Sequence, residues 1–377
     1  MKITRIKLFN YDIILDIYKL LDVYYRIKSN CKHKDKIVKF EMFQSSYITE
    51  VLGILRSKNY KHGRYNIFVI LEPKSRVIMS ENMTDKIINH VLSHYVLFPL
   101  IEPMLIDSNV ATRTDKGTKA GIYYMKKYIN HMKEKHNKFY VLKCDVSKFF
   151  YSIDHEILLE KLRKIIVDDD LYNLCKEIID STNYTYLGET IKLLINNRKK
   201  YISKLDISEN EKNIKYDELD KIPLYDFNKG LPIGNMSSQI FAIFYLNDLD
   251  HFIKEKLRIK CYIRYMDDLI LIHEDKEYLN YCLKQIEEKM KEVRLSLNSK
   301  TQIVEIHNGI SFLGYRFILK KKKVYMLISS KAKRRINKKI KTIKRKDKKE
   351  FLRRRYNGYL AYGDTKGFMH SKSIRKY

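Results

Sequence analysis

Tryptophan is absent from the 377-residue chain, glycine occurs only 12 times, and proline and cysteine five times each. So little proline and glycine excludes collagen-like and proline-rich linker architectures. The five cysteines, Cys31, Cys144, Cys175, Cys261 and Cys282, are odd in number and lack metal-type spacing, which argues against a disulfide framework or a zinc site and for buried free thiols. No uncharged apolar run reaches spanning length, and Met1-Lys2-Ile3-Thr4-Arg5 leads into charged sequence, so neither a membrane span nor a signal peptide is expected. The expected location is cytoplasmic. Acidic residues are scarce too: 45 Asp and Glu face 75 Lys and Arg, a formal charge of +30. That excess goes beyond what solubility requires and points to a polyanion, with nucleic acid as the leading partner.

What is present is globular. A 45% hydrophobic content buries a sizeable core, as one large domain or two to three subdomains. Asn10 is expected to cap a helix with Ile14, Ile17, Leu21 and Tyr24 on one face. Tyr65–Ile70 and Arg76–Met79 read as two strands joined by a basic-tipped turn, and Asp85 as the opening of a helix to about Leu100. The polar segment Asn109–Gly117 reads as a surface loop that Arg113, Lys116 and Lys119 make a candidate phosphate contact. Tyr140–Cys144 is an apolar run delivering Asp145 at its tip, and Asp154 a cap for a helix to Ile166. Residues 184–228 are polar and without clear period, which suggests an insertion or a mobile element.

Tyr262–Tyr265 and Leu269–Ile272 form a strand pair around Met266-Asp267-Asp268, a hairpin with acids at its turn. A helix from Lys276 to Val293 and strands at Ser311–Ile318 and Val324–Ile328 follow. Between Lys331 and Arg355 fifteen Lys and Arg accompany Ile336, Ile340 and Ile343 on one face, an amphipathic basic helix.

Phosphoryl transfer to a nucleotide uses two divalent cations about 3.5–4 Å apart. Hard cations take oxygen ligands, so two or three carboxylates must meet at one point. Asp145 at a strand end and Asp267-Asp268 at a hairpin turn can do this if the two elements are neighbours in one sheet. An Asp-Asp pair alone says little, but here it lies between apolar strands, where uncompensated carboxylates are costly.

The sequence from Ile67 to Phe317 resembles the reverse transcriptases. Leu142–Phe150 with Ile153-Asp154-His155 resembles the family's first catalytic motif, Gly230–Gln239 the second and Tyr265-Met266-Asp267-Asp268 the third; Leu297–Thr301 and Phe312-Leu313-Gly314-Tyr315 resemble the two that follow. The resemblance implies an α+β right-hand polymerase fold: fingers with an N-terminal extension over 1–135, a palm with an antiparallel sheet packed on helices over 136–320, and a short basic helical thumb over 321–377. It implies an RNA-directed DNA polymerase that adds dNTPs to a primer 3′-hydroxyl, with template RNA and an RNA–DNA hybrid as partners. Two Mg²⁺ ions, with Mn²⁺ as a substitute, are the implied cofactors.

By the same resemblance Asp145, Asp267 and Asp268 form the catalytic and metal-binding set, with the carbonyl of Val146 assisting and Lys300 protonating the pyrophosphate leaving group. Lys74 and Arg76 grip the triphosphate, a task suited to a point charge beside a bidentate fork. Phe150 is placed as a gate against the ribose 2′-hydroxyl, and Ile233, Gly234 and Gln239 in the nucleotide site, with Gly234 letting backbone approach a base or nucleotide. Gly314 and Tyr315 hold the primer strand. Lys338, Lys339, Lys341, Lys344 and Arg345 follow the product duplex, whose phosphates suit sequence-independent holding.

The second motif narrows the subclass. Retroviral and group II intron enzymes usually have Gln before its Gly and Pro at its end, where this chain has Ile233 and Gln239. Ile-Gly-x-x-x-Ser-Gln resembles the enzymes of diversity-generating retroelements, which copy a template RNA with errors at adenines and work with a basic accessory protein. No ribonuclease H, maturase or endonuclease segment is expected after so short a thumb. The alternatives are a retron-like or abortive-infection enzyme of phage defence and an inactive RNA-binding relative, the last disfavoured by the presence of all three aspartates.

Overall fold

Residues 66–80 form a hairpin because β-branched and aromatic side chains flank a short turn: β1 (Asn66–Ile70) pairs antiparallel with β2 (Arg76–Ser80), from Asn66↔Ser80 to Ile70↔Arg76. The structure is a computed structural model that describes residues 9–31, 38, 41–71, 74–341, 363 and 364, without the side chains of 339–341. The chain divides into two units. One comprises the residues up to Ile106 with Val146–Asp250 and Lys289–Ser296; the other comprises Asp107–Asp145, His251–Glu288 and the residues from Leu297 onward. Helices and antiparallel sheets are mixed, as an α+β fold requires.

In the first unit Val77 and Met79 of β2 are buried with Tyr65, Leu187, Ile191, Ile202, Leu219 and Ile222. Five of those residues come from the segment expected to be an irregular insertion. It is instead two helices, Tyr186–Ser203 and Glu209–Asp220, that cover the hairpin. Their period is hard to read because the apolar faces are thin: the second helix buries only Leu219. At the hairpin's turn the Ser75 hydroxyl donates to Glu218 at 3.2 Å.

Two other expectations in this unit are corrected. The N-terminal element is a 3-10 turn, Tyr11–Leu15, followed by a helix, Ile17–Asn30, opened by Asp16, whose carboxylate accepts from the Tyr18 N–H at 2.8 Å. The break resets the helical phase, so Leu20, Val23, Tyr24 and Ile27 are buried and Ile17 is exposed. The helix after the hairpin, Met83–Leu92, is capped by Asn82, which accepts from the Asp85 N–H at 2.8 Å. Asp85 itself is a buried first-turn residue.

The loop carrying the second motif is stitched down by its backbone. Gly230 N–H donates to Ile153 O at 2.7 Å and Leu231 N–H to Phe150 O at 2.7 Å. Buried His155 holds Gly230 O at 2.8 Å through Nε2 and Asp180 at 3.1 Å through Nδ1, which accounts for a histidine at the end of the first motif. Met79 N–H of β2 donates to Ile233 O at 2.9 Å. Asn235 donates through Nδ2 to the Tyr65 hydroxyl at 3.0 Å, and that hydroxyl lies 2.7 Å from the Ser181 hydroxyl.

The second unit contains a four-stranded antiparallel sheet in the order β4-β5-β3-β6, built from β3 (Tyr140–Asp145), β4 (Cys261–Tyr265), β5 (Asp268–His273) and β6 (Gln302–Glu305). A three-stranded meander, β7 (Ile310–Phe312), β8 (Tyr315–Lys320) and β9 (Lys323–Ile328), follows. The helix Gly117–Lys135 places Ile122, Met125, Ile129 and Met132 in one core with Val141, Ile263, Ile270, Phe312 and Phe317. The expected surface loop at 109–117 is only partly one. Asn109, Val110 and Ala111 are buried beside the edge of β4, where Val110 N–H donates to Arg264 O at 3.0 Å and Arg264 N–H to Ser108 O at 3.1 Å.

The basic helix begins at Ser330 and is described to Lys341, with Ala332 and Ile336 buried on one face. Lys344 and Arg345 lie outside the described residues, as do the side chains of Lys339 and Lys341. Cys144, Cys175, Cys261 and Cys282 are free and buried, and Cys31 is half-buried. Among the described residues no helix is long and apolar enough to cross a membrane.

Gly234 has φ +143°, and a Cβ there would stand 2.2 Å from Met79 O. The glycine is therefore required by backbone packed against β2, a reason the sequence reading did not contain. Gly234→Ala is expected to destabilise the protein by roughly 2–4 kcal/mol. Urea melts of parent and variant measure this; a change within about 0.5 kcal/mol would show that the loop is free to move off β2.

Candidate active site

β3 and β5 pair in a register that sets Asp145 directly across from Asp268. β4 pairs Tyr265 with the same Asp268, leaving Met266 and Asp267 as a two-residue turn. The three predicted aspartates thus come to one end of one sheet, delivered by adjacent strands.

The turn is held tightly. Met266 adopts φ +55°, a left-handed conformation that costs a non-glycine residue about 1–2 kcal/mol. Arg264, completely buried, offsets that strain by donating through Nη1 to Met266 O at 3.2 Å. Such strain is commonly stored where a side chain must be aimed.

The electrostatics follow from crowding. Burial pushes the Asp267 carboxyl up to about 6, with the charges of Asp268 and Asp145 adding to the shift. Burial also raises Asp268, against the opposing pull of Lys143. The Lys143 ammonium lies 2.9 Å from Asp268 Oδ1 and donates to Ser311 O at 3.2 Å. On the other side, Asn298 donates through its side chain to Asp145 and through its N–H to Asp145 O at 2.9 Å. Lys300 extends into solvent, its side chain 73% exposed, with Nζ 3.9 Å from Asp145 Oδ2.

Among the described residues no three His, Cys, Asp or Glu side chains converge as a cation cage of their own. The donor set nevertheless fits a hard divalent cation. It offers carboxylate oxygens in a site that is short of positive charge, and Mg²⁺ is commonly held by one or two carboxylates with substrate oxygens completing the shell.

The other predicted residues fall into separate groups. In the first unit Phe150 and Ile233 are both part of the stitching of the second-motif loop: Phe150 O, in the first motif, accepts from Leu231, and Ile233 O, in the loop, from Met79. Phe149 is the buried ring of its pair, and Phe150 is half-buried beside it at 5.7 Å between centroids. Arg76 begins β2 and is half-buried, whereas Lys74 in the turn is exposed. Gln239 is exposed on the helix Met236–Tyr245.

In the second unit Arg113 donates to Asn109 O at 3.0 Å, and Lys116 to Asp107 O at 2.5 Å and its Oδ1 at 2.6 Å, so both cations fold back on their own loop. Gly314, with φ +85°, forms the turn between β7 and β8. Tyr315, expected to hold the primer strand, needs correction: it is 2% exposed and packed in the core, so its ring is not on the surface.

Three residues escaped the sequence reading: Lys143, Asn298 and Arg264. Strand alternation carried a signal for the first, since a lysine two residues before Asp145 must share its face.

Residues 61–317, about two thirds of the chain, match the family model described as reverse transcriptase (RNA-dependent DNA polymerase). The chain belongs to the reverse transcriptase family. That family comprises nucleotidyltransferases of right-hand polymerase fold that act as RNA-directed DNA polymerases and use divalent metal ions. No curated protein matches the sequence significantly. Among solved structures, apo telomerase from Candida tropicalis truncated from its C-terminal domain is similar with a TM-score of 0.41 and 17% identity, over 70% of this chain and 55% of that one. Telomerase from Candida albicans in complex with a TWJ fragment of telomeric RNA is similar with a TM-score of 0.41 and 13% identity, over 78% of this chain and 49% of that one. The reverse transcriptase chain spans about half the length of these telomerases.

The raised Asp267 carboxyl has a consequence for the metal-free reverse transcriptase. Its folded-state value, about 6, exceeds the ordinary 3.8, so the stability it contributes is complete below 3.8 and lost as pH rises through 6. Asp267→Asn is therefore expected to make the EDTA-treated protein more stable than the parent at pH 8, by on the order of 1–3 kcal/mol, with the gap narrowing towards pH 5. Denaturant melts at both pH values check this, and a parent at least as stable at pH 8 would contradict it.

Proposed function

We propose that this chain copies a template RNA into cDNA for a diversity-generating retroelement, with frequent misincorporation opposite adenine. The observation that supports polymerase chemistry is the register that joins Asp145 to Asp268 with Asp267 at the turn between β4 and β5.

In this reading Asp145 and Asp267, with the Val146 carbonyl, hold the cations, and Asp268 supports them from beside. The chemistry supplied there by a bound pair of magnesium ions, for which manganese can substitute, is activation of the primer 3′-hydroxyl and neutralisation of the triphosphate. Lys300, exposed and within reach of the carboxylate end of β3, delivers a proton to the departing pyrophosphate. Lys74 and Arg76 bind the triphosphate. Phe150 excludes ribonucleotides sterically, which discriminates against an added hydroxyl better than an apolar pocket alone. Arg113, Lys116, the turn at Gly314 and the basic helix with Lys338 contact template, primer and product phosphates. A basic accessory protein is the expected partner of the element.

The subclass rests on Ile233 and Gln239. Gln at the first position in other members can hydrogen-bond near the nucleotide sugar and the template, whereas Ile offers only apolar surface. The Ile233 backbone is anchored to β2 through its carbonyl, which accepts from the Met79 N–H. Loss of a polar contact sensitive to pair geometry narrows the free-energy gap between right and wrong nucleotides, and about 1.4 kcal/mol already changes selection tenfold. The parent is expected to misincorporate readily opposite template adenine, and Ile233→Gln to lower that rate. Sequencing cDNA made by both proteins from one defined RNA checks this. Low parental errors at adenine would remove the diversity-generating reading, and equal errors in both proteins would remove Ile233 as the cause.

A further inference from the structure

Lys143 reaches with its ammonium both the catalytic hairpin and the meander that follows the catalytic sheet. It stands on β3 two residues before Asp145, on the same face, opposite Ile270 of β5. It shares that face of β3 with the core residue Val141, and its ammonium lies beside Asp268. There it makes two contacts: 2.9 Å to Asp268 Oδ1 and 3.2 Å to Ser311 O, the central residue of β7. Ser311 pairs with Arg316 of β8, so this contact grips the hairpin whose turn is Leu313-Gly314. The side chain is only 18% exposed and that of Asp268 27%, which makes the pair much less screened than a surface salt bridge.

We propose that Lys143 is a positioning residue with two tasks: it reserves Asp268 as a support and keeps it from becoming a metal ligand, and it ties the β7–β8 turn to the catalytic carboxylates. This deepens the polymerase reading and rests on it. Of three aspartates at one sheet end, the two that remain for cations are those without an ammonium in direct contact: Asp145 is held by the neutral Asn298 amide, with Lys300 farther off, and Asp267 sits at the turn. The charge of Lys143 offsets one of three negative charges, which sets how strongly the site attracts a divalent cation. The same ammonium fixes β7, so the primer-side turn moves with Asp268 rather than independently.

These tasks predict effects in opposite directions, which a general loss of structure does not produce. In Lys143→Met the stem keeps its packing while the charge goes. Mn²⁺ affinity, followed by electron paramagnetic resonance on the full chain without nucleic acid, is expected to rise roughly threefold or more, because Asp268 becomes available and the site more negative. On an RNA template with a DNA primer, kcat is expected to fall about tenfold or more and the KM for primer–template to rise. Lys143→Arg, which keeps the charge and can fork between the two acceptors, is expected to restore most of both. In an Asp268→Asn background, Lys143→Met should raise Mn²⁺ affinity distinctly less, since only the loss of charge and not the release of Asp268 then remains.

Weaker or unchanged Mn²⁺ binding in a folded Lys143→Met, or the same gain in the Asp268→Asn background, would overturn the proposal. Should Lys143→Met fail to fold by circular dichroism, Lys143→Gln, a shorter neutral side chain, carries the same expectations. A parent that binds Mn²⁺ yet extends no primer would instead sink the polymerase reading, so the two failures are told apart.

Discussion

Three carboxylates that repel one another are held at one end of a single sheet, and much of the second unit serves to keep them there. Backbone pairing does the holding: Asp145 faces Asp268 because β3 and β5 are locked in register, with the apolar pairs Val141↔Ile272, Leu142↔Leu271 and Cys144↔Leu269 between the ends, and slipping that register by one residue would move every side chain to the other face. The repulsion is visible in the Asp267 carboxyl, raised to about 6 by burial and by its two neighbours. Lys143, Asn298 and the buried Arg264 are the counterweights. None of them occupies all the carboxylate oxygens, which remain a donor set of the kind that hard divalent cations take.

A comparable economy governs the first unit. The loop from Gly230 to Asn235 has almost no regular structure, yet its backbone is tied at Ile153, Phe150 and Met79 and its Asn235 side chain to Tyr65. The first and second motifs are thereby joined, and His155 completes the join from beneath. Residues spaced far apart in sequence, such as Phe150 and Ile233, can share a task only because this stitching fixes both.

The parts of the fold legible in the sequence are those where one period dominates. Tyr140–Asp145 and the strand pair around Met266-Asp267 are short apolar runs ending at acids, and both appear as read, as does the cap at Asp154. Short β6 gave no signal, because Gln302–Glu305 owes its strand to pairing with β3 rather than to its own pattern. Residues 186–220 hid two helices behind lysine and asparagine, since few apolar residues suffice to cover a two-stranded hairpin. The site was legible as to which carboxylates meet, through motif order and alternation. What surrounds them was not: a lysine in a strand gives no sign of which oxygen it will reach, and the burial of Tyr315 follows from the meander's packing, which depends on residues distant in sequence.

The central claim is that the end of β3 and the β4–β5 turn form one metal-dependent polymerising site. Primer extension on an RNA template, with and without magnesium, by the parent and by a folded Asp267→Ala, Asp268→Ala double variant, tests it most directly. Magnesium-dependent DNA synthesis by the parent and none by the variant is expected, with RNA binding largely retained. Substantial magnesium-dependent extension by the variant would contradict it.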